Sequence, residues 1–227
     1  MHDISLVEPS YEAVPLFPLA RFAMFPNTMT QIHAFEPRYR MLVADVLAGP
    51  RLLVLIGLKP GTETDHLGTP TTYEVGALCK VVNHERTGDG RYCLHVHCLA
   101  RVRIQQVNRL LPYRTAAVQV ISDETVGDGA LDEAMDRLMA TMRSLVVKLG
   151  DNGAQLAQIL ASTRKPLLLT NRLASAVLSD PIERQRALET THPLTRIEQV
   201  NDAAGEALLH ADCPQLQYTH FDANSVN

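Results

Sequence analysis

Cys93, His95 and His97 alternate along one short segment, and in a strand residues two apart point to the same face. An Asp89-Gly90 pair just upstream is a hairpin signal. If the segments 73–84 and 91–107 pair through that turn, His84 falls opposite Cys93. Nitrogen and sulfur donors on one face are the raw material of a zinc or copper site. An exposed polar strand face accounts for the same residues, and two further ligands at a recognised spacing are missing. No metal and no cofactor is therefore assigned.

Other chemistry needs residues at fixed spacings that this sequence does not contain. It has no glycine-rich phosphate loop ending in Gly-Lys-Ser/Thr, no Gly-x-Ser-x-Gly, no His-Glu-x-x-His and no Cys-x-x-Cys. A nucleophile assembled from distant positions would escape such a search, but nothing points to one. The reading is a protein without catalytic residues of its own.

Composition narrows the partners. The 227 residues carry a formal net charge of -4, with no tryptophan and few aromatic residues. Neither an electrostatic footprint for nucleic acid or an anionic membrane nor a stacking platform for single strands follows from that. Arg101 and Arg103 form the densest basic pair, and they sit in an apolar, strand-like context. The N-terminus lacks the pattern of a signal peptide, and the longest apolar run, 52–58, is too short to span a bilayer. Cys79, Cys93, Cys98 and Cys213 show no disulfide-framework spacing and read as reduced thiols in a cytoplasmic protein.

The elements that must position these residues change character along the chain. Residues 1–13 read as an irregular arm. Residues 14–19 carry Pro15 and Pro18, which suits an edge strand or a strand entering a turn. A second strand is expected over 29–33, and a helix over 36–47 with Tyr39, Leu42, Val43, Val46 and Leu47 on one face. The run 52–58 predicts a strand buried on both faces, and 113–122 a last strand. Together these predict a closed or nearly closed barrel over 14–123. Beyond the Gly- and acid-rich stretch 123–129, every segment reads helical. Leu131, Met135, Leu138, Met142, Leu145 and Leu149 form a stripe. Pro166, Pro181 and Pro193 each stand near a helix start, the last two flanking a helix that Asp180 caps. A helical domain over 128–212 and a loose tail over 213–227 complete the expected organisation.

An ordered series of short motifs adds a resemblance. Pro15-Leu16-Phe17-Pro18-Leu19, Phe25-Pro26 and Ile32-His33-Ala34-Phe35-Glu36-Pro37-Arg38-Tyr39 are followed by Glu74-Val75-Gly76, Asp89-Gly90-Arg91 and Arg101-Val102-Arg103-Ile104. Pro181, Glu183-Arg184-Gln185, Leu188-Glu189 and Arg196-Ile197 continue it. The series resembles the N-terminal, substrate-recognition domain of the ATP-dependent Lon proteases, from about Val14 to about Leu209. The resemblance implies an α+β chain: a β-barrel of the pseudouridine-synthase-and-archaeosine-transglycosylase-like (PUA-like) type with one helix, then a C-terminal α-helical bundle. It also implies a stand-alone form without the ATPase and peptidase domains, since the chain ends after the helical half. One departure is Cys98, which stands where the family usually has a glycine.

The motif residues Glu36, Arg38, Tyr39, Asp89, Gly90, Arg91 and Arg101 are expected to be structural, as a helix start, a turn and a strand, with Arg38 paired to Asp45 or Glu74. The expected function is recognition of unfolded or client polypeptides, as an adaptor in proteolysis or quality control, at the junction of the two halves. The alternative is a PUA-like module for RNA or a small molecule.

Overall fold

The computed structural model describes residues 8–61 and 70–210, so that the expected tail 213–227, Cys213 and the first seven residues of the arm lie outside the described part. Its contacts separate a first unit, ending at Ile121, from a second that begins at Ser122. The fold is α+β.

In the first unit the strands are β1 (Ser10–Leu19), β2 (Met29–Ala34), β3 (Leu52–Gly57), β4 (Val75–Arg86), β5 (Tyr92–Asn108) and β6 (Arg114–Ile121), with helix α1 (Pro37–Ala48) between β2 and β3. They form one mixed sheet in the order β2-β5-β4-β3-β1-β6, and β6 pairs again with β5. Only β1 and β3 run parallel, and the β2–α1 excursion between them supplies the crossover that parallel neighbours need.

The apolar run at 52–58 behaves as its pattern predicts. Leu53 and Leu55 enter a core with Phe17, Ile32, Leu94, Val96 and the α1 residues Leu42, Val43 and Val46. Val54 and Ile56 enter a second core with Val14, Leu16, Leu78, Val102 and Val118. Tight packing across β3 also explains Gly76, one of the motif residues. A Cβ there would sit 2.8 Å from the Leu55 carbonyl oxygen and 3.0 Å from Val54 Cγ1.

The start of β1 differs from expectation. The strand begins at Ser10, inside the stretch read as an arm, because Ser10 and Tyr11 pair with Gln119 and Val118. An irregularity follows between Tyr11 and Val14, where Ala13 adopts a left-handed φ of 53°. Of the two readings of 14–19, the strand entering a turn holds, since β1 ends at Leu19 and a turn follows at residues 20–21, and the edge strand does not. β6 pairs along Ser10–Leu16 and β3 along Leu16–Leu19. The two partners overlap only at Leu16, so neither proline stands where both edges of the strand are taken.

The second unit is helical: α2 (Asp128–Leu149), a 3-10 turn at Gly150–Gly153, α3 (Ala154–Ala161), α4 (Pro166–Val177), α5 (Pro181–Glu189) and α6 (Pro193–His210). The α2 stripe is buried at Met135, Leu138, Met142 and Leu145 and half-buried at Leu131 and Leu149. Asp180 caps α5 through the Ile182 and Glu183 amides, as Ser/Asp before a helical proline predicts. Two arginines, Arg184 half-buried and Arg196 buried, hold the turns. Arg184 donates to the Ser175 and Leu178 carbonyls at the end of α4 (3.0 and 2.8 Å), and burial lowers its pKa to about 10. Arg196, 1% exposed, donates to Asp123 at 2.8 Å and to the Thr190 carbonyl at 3.2 Å.

Two sets of variants test this packing. Gly76→Ala should cost about 1–3 kcal/mol in urea unfolding by forcing β3 and β4 apart, whereas Gly88→Ala, with nothing within 4 Å of its Cβ, should cost far less. Asp123→Ala strands a buried guanidinium and should cost roughly 3 kcal/mol. Arg196→Met removes the charge and keeps much of the volume, so it should unfold later than Asp123→Ala. Equal losses would show that the buried charge is not what makes the pair important.

Candidate functional site

The motif residues fall into three local arrangements. At the β4–β5 turn, Asp89 accepts from Arg91 Nε and Thr87 Oγ1, each at 2.5 Å, and from the Arg91 amide at 3.2 Å. These bonds, the Arg91 side chain foremost, hold its carboxyl well below the usual carboxylate range. Gly90 has φ +82°, and the Arg40 guanidinium lies where its Cβ would be. Asp89, Gly90 and Arg91 thus build the turn and its contact with α1.

At the start of α1, Glu36 occupies the N-cap without a side-chain cap bond. Instead it accepts from Arg38 Nε at 2.8 Å. Arg38 lies over the Tyr39 ring (4.8 Å), and Tyr39 stacks on Phe17 at 4.5 Å. Burial pushes the Tyr39 phenol pKa up. The expected partners of Arg38 are engaged elsewhere: Asp45 accepts from the Tyr113 hydroxyl at 2.5 Å, and Glu74 lies 3.9 Å from Arg103. Arg101 is 2% exposed in the middle of β5.

The histidine–cysteine face exists, but its membership differs from expectation. Pairing runs Lys80↔His97 and Val81↔Val96, then Asn83↔His95, His84↔Leu94 and Glu85↔Cys93. Val82 is an extra residue in β4. Had the register at Val81 continued to the turn, His84 would face Cys93; the bulge brings Glu85 there instead. A bulge cannot be read from alternation alone, because it is set by long-range pairing. On the other side, β2 places His33 opposite Cys93 and Gln31 opposite His95, and Gln31 Nε2 donates to Cys93 Sγ. Among the described residues no group of three or more His, Cys, Asp or Glu side chains is placed to hold a metal ion.

The strand expected over 29–33 is β2 (Met29–Ala34), but its place in the sheet was not foreseen. Among the described residues it pairs with β5 alone, at one end of the sheet order. The Cys98 amide donates to the Thr28 carbonyl. In an antiparallel ladder, inward and outward backbone groups alternate. Thr30, Ile32 and Ala34 therefore bond toward β5, and the amides and carbonyls of Met29, Gln31 and His33 point to the open edge. Met29 is 62% exposed, and Phe35, immediately after the strand, is 50% exposed. A sequence signal existed in the short, uncharged strand between Pro26 and Pro37, but strand order is not written locally. In the second unit, Arg143, Ser144, Val147, Lys148 and Leu208 line a shallow groove of about 400 Å³; all five are exposed or half-buried.

The chain matches the family model of the ATP-dependent protease La (LON) substrate-binding domain over residues 13–204. It is 27% identical over 203 residues to Lon protease 2 of Sorangium cellulosum, covering 88% of this chain and 25% of that protein. Lon protease of Desulfosudis oleivorans is 24% identical over 189 residues, covering 83% of this chain and 23% of its own. The chain thus spans about a quarter of the length of these relatives. Among solved structures, the N-terminal domain of a Mycobacterium avium complex Lon protease superposes with a TM-score of 0.67 at 15% identity, covering 86% of this chain and 99% of that one. A Lon N-terminal domain protein from Xanthomonas campestris gives 0.55 at 20% identity, covering 84% and 97%.

The three described cysteines are free and should differ in reactivity. Cys79 and Cys98 are fully buried cross-strand partners, and burial pushes the Cys98 thiol up; Cys93 is partly exposed. Brief alkylation of the folded protein followed by peptide mass mapping should label Cys93 and spare the other two until denaturant is added. Early labelling of Cys79 or Cys98 would contradict the packing between β4 and β5.

Proposed function

Because the chain belongs to the Lon substrate-binding domain family, we propose that it is a non-catalytic recognition protein that binds segments of unfolded or client polypeptides. The observation that carries this is the extent of the family match: residues 13–204 correspond to the part of the Lon proteases described as substrate-binding. A place in the cytoplasm and a role as an adaptor in proteolysis or quality control belong to the same reading. Among the described residues no helix is long and apolar enough to cross a membrane.

The finer architecture is part of the proposal. The pairings run from β5 through β4, β3, β1 and β6 back to β5, which supports a closed PUA-like barrel, and α2 to α6 support a helical bundle. The RNA alternative loses its best residues: Arg101 is buried and Arg103 lies beside Glu74. The resolved titration shifts likewise fit the folding roles described above. Asp89 is held by its turn, Tyr39 and Cys98 are shifted by core burial, and Arg184 by its place over the end of α4.

Fluorescence anisotropy with a labelled, carboxymethylated and permanently unfolded polypeptide tests the reading. Saturable binding with a Kd on the order of micromolar is expected, with no binding of the same polypeptide in its folded, disulfide-intact form. Failure to bind up to the solubility limit would remove general polypeptide recognition as the function.

A further inference from the structure

The polypeptide-recognition reading leaves open where an extended chain would sit, and among the described residues of the first unit β2 offers an unblunted sheet edge. Six-residue β2 is of ordinary strand length. Proteins commonly protect such an edge with charge, proline or a bulge. β2 has none of these: its sequence is Met-Thr-Gln-Ile-His-Ala, and its register with β5 is unbroken from Met29 to Ala34. Its core face is fixed, with Ile32 and Ala34 fully buried, so the strand cannot slip by one residue without exposing them.

The outward groups of Met29, Gln31 and His33 alternate donor and acceptor, repeating roughly every 7 Å. This array of partial charges matches another extended backbone in both sign and spacing. Exposed Met29 and Phe35 stand at the two ends of the strand and give apolar flanks for alternate side chains of such a partner. We infer that the open edge of β2 binds an extended, uncharged polypeptide segment as an added strand, with Met29, Gln31 and His33 supplying the backbone hydrogen bonds. This rests on the polypeptide-recognition reading and gives it a site. Recognition through the backbone is indifferent to most of the client sequence and is available only from chains that are not already folded.

The test leaves the protein untouched and edits the partner. A short labelled peptide of Val, Thr and Gln is compared with two versions N-methylated at alternate residues, one in each phase. An N-methyl group on the bonded edge removes donors and blocks approach; in the other phase it points away. One phase should bind about tenfold or more weakly, and the other within about twofold of the parent peptide. Two protein variants give a second line. Gln31→Pro removes an outward amide that the β5 ladder does not use and should weaken binding to the same degree. Gln31→Ala loses only the side-chain bond to Cys93 and should bind normally.

Equal binding of both methylated phases overturns edge pairing. So does failure of the short peptide alongside good binding of the unfolded carboxymethylated polypeptide, which leaves the recognition reading standing. If neither binds, both fall. If the protein alone sediments as a dimer that the peptide does not dissociate, the edge belongs to a second copy and the proposal is wrong.

Discussion

Seventeen consecutive residues of β5 must find hydrogen-bond partners along both sides of one strand, and much of the first unit follows from how they do so. One side pairs with β4 over Tyr92–Arg103. The other side is shared, by β2 over Tyr92–His97 and by β6 over Arg101–Asn108. Two extra residues, Leu99 against β4 and Gln105 against β6, break the regular alternation. Bulges of this kind bend a strand and increase its twist, which lets one strand serve both ends of a sheet. The division also creates the open edge, because β2 covers its half of β5 and has no described strand beyond it.

The Leu99 bulge bears on the one departure from the family pattern. The resemblance read from the sequence places a glycine at position 98, and a strand glycine often marks a bulge or a close approach of backbone. Here the bulge follows directly after Cys98, whose small side chain faces Cys79 across the ladder and lies near Ala100. Cys79 in turn approaches Met24 at 3.8 Å between sulfurs. Small, polarizable side chains fill irregular gaps at low cost in strain. The glycine's conformational freedom is therefore replaced by packing.

Features governed by near neighbours were legible in the sequence. Asp89-Gly90 set the turn, the continuous run in β3 foretold burial on both faces, and the spacing from Leu131 to Leu149 gave the stripe of α2. What stayed hidden depends on which distant segment arrives alongside. Pro15 and Pro18 suggested an edge or the approach to a turn; β1 does run into a turn, yet it takes a partner on each side in succession. His84 would have met Cys93 but for one inserted residue. Arg184 and Arg196 stood in recognisable motifs, but not as ties on helix ends and turns. α4 ends at Leu178 in extended conformation, with no glycine after it. Arg184 supplies from another helix the donors that a local cap would give.

The packing behind β2 and its open edge are complementary halves of one physical argument. A recognition module that reads backbone must expose unpaired amides and carbonyls, the feature that otherwise leads to aggregation. It can do so safely only if the exposed strand is held in one register and the surrounding structure does not loosen to offer more. In β2 that restraint comes from fully buried Ile32 and Ala34 against α1 and β5, and from Arg40 lying over Gly90 at the hairpin tip. The first unit thus spends its packing on holding the sheet that carries the edge, and leaves the edge bare. On the proposed reading, specificity for unfolded clients needs no pocket for any particular side chain. It arises because folded proteins have already paired the groups that β2 offers to match.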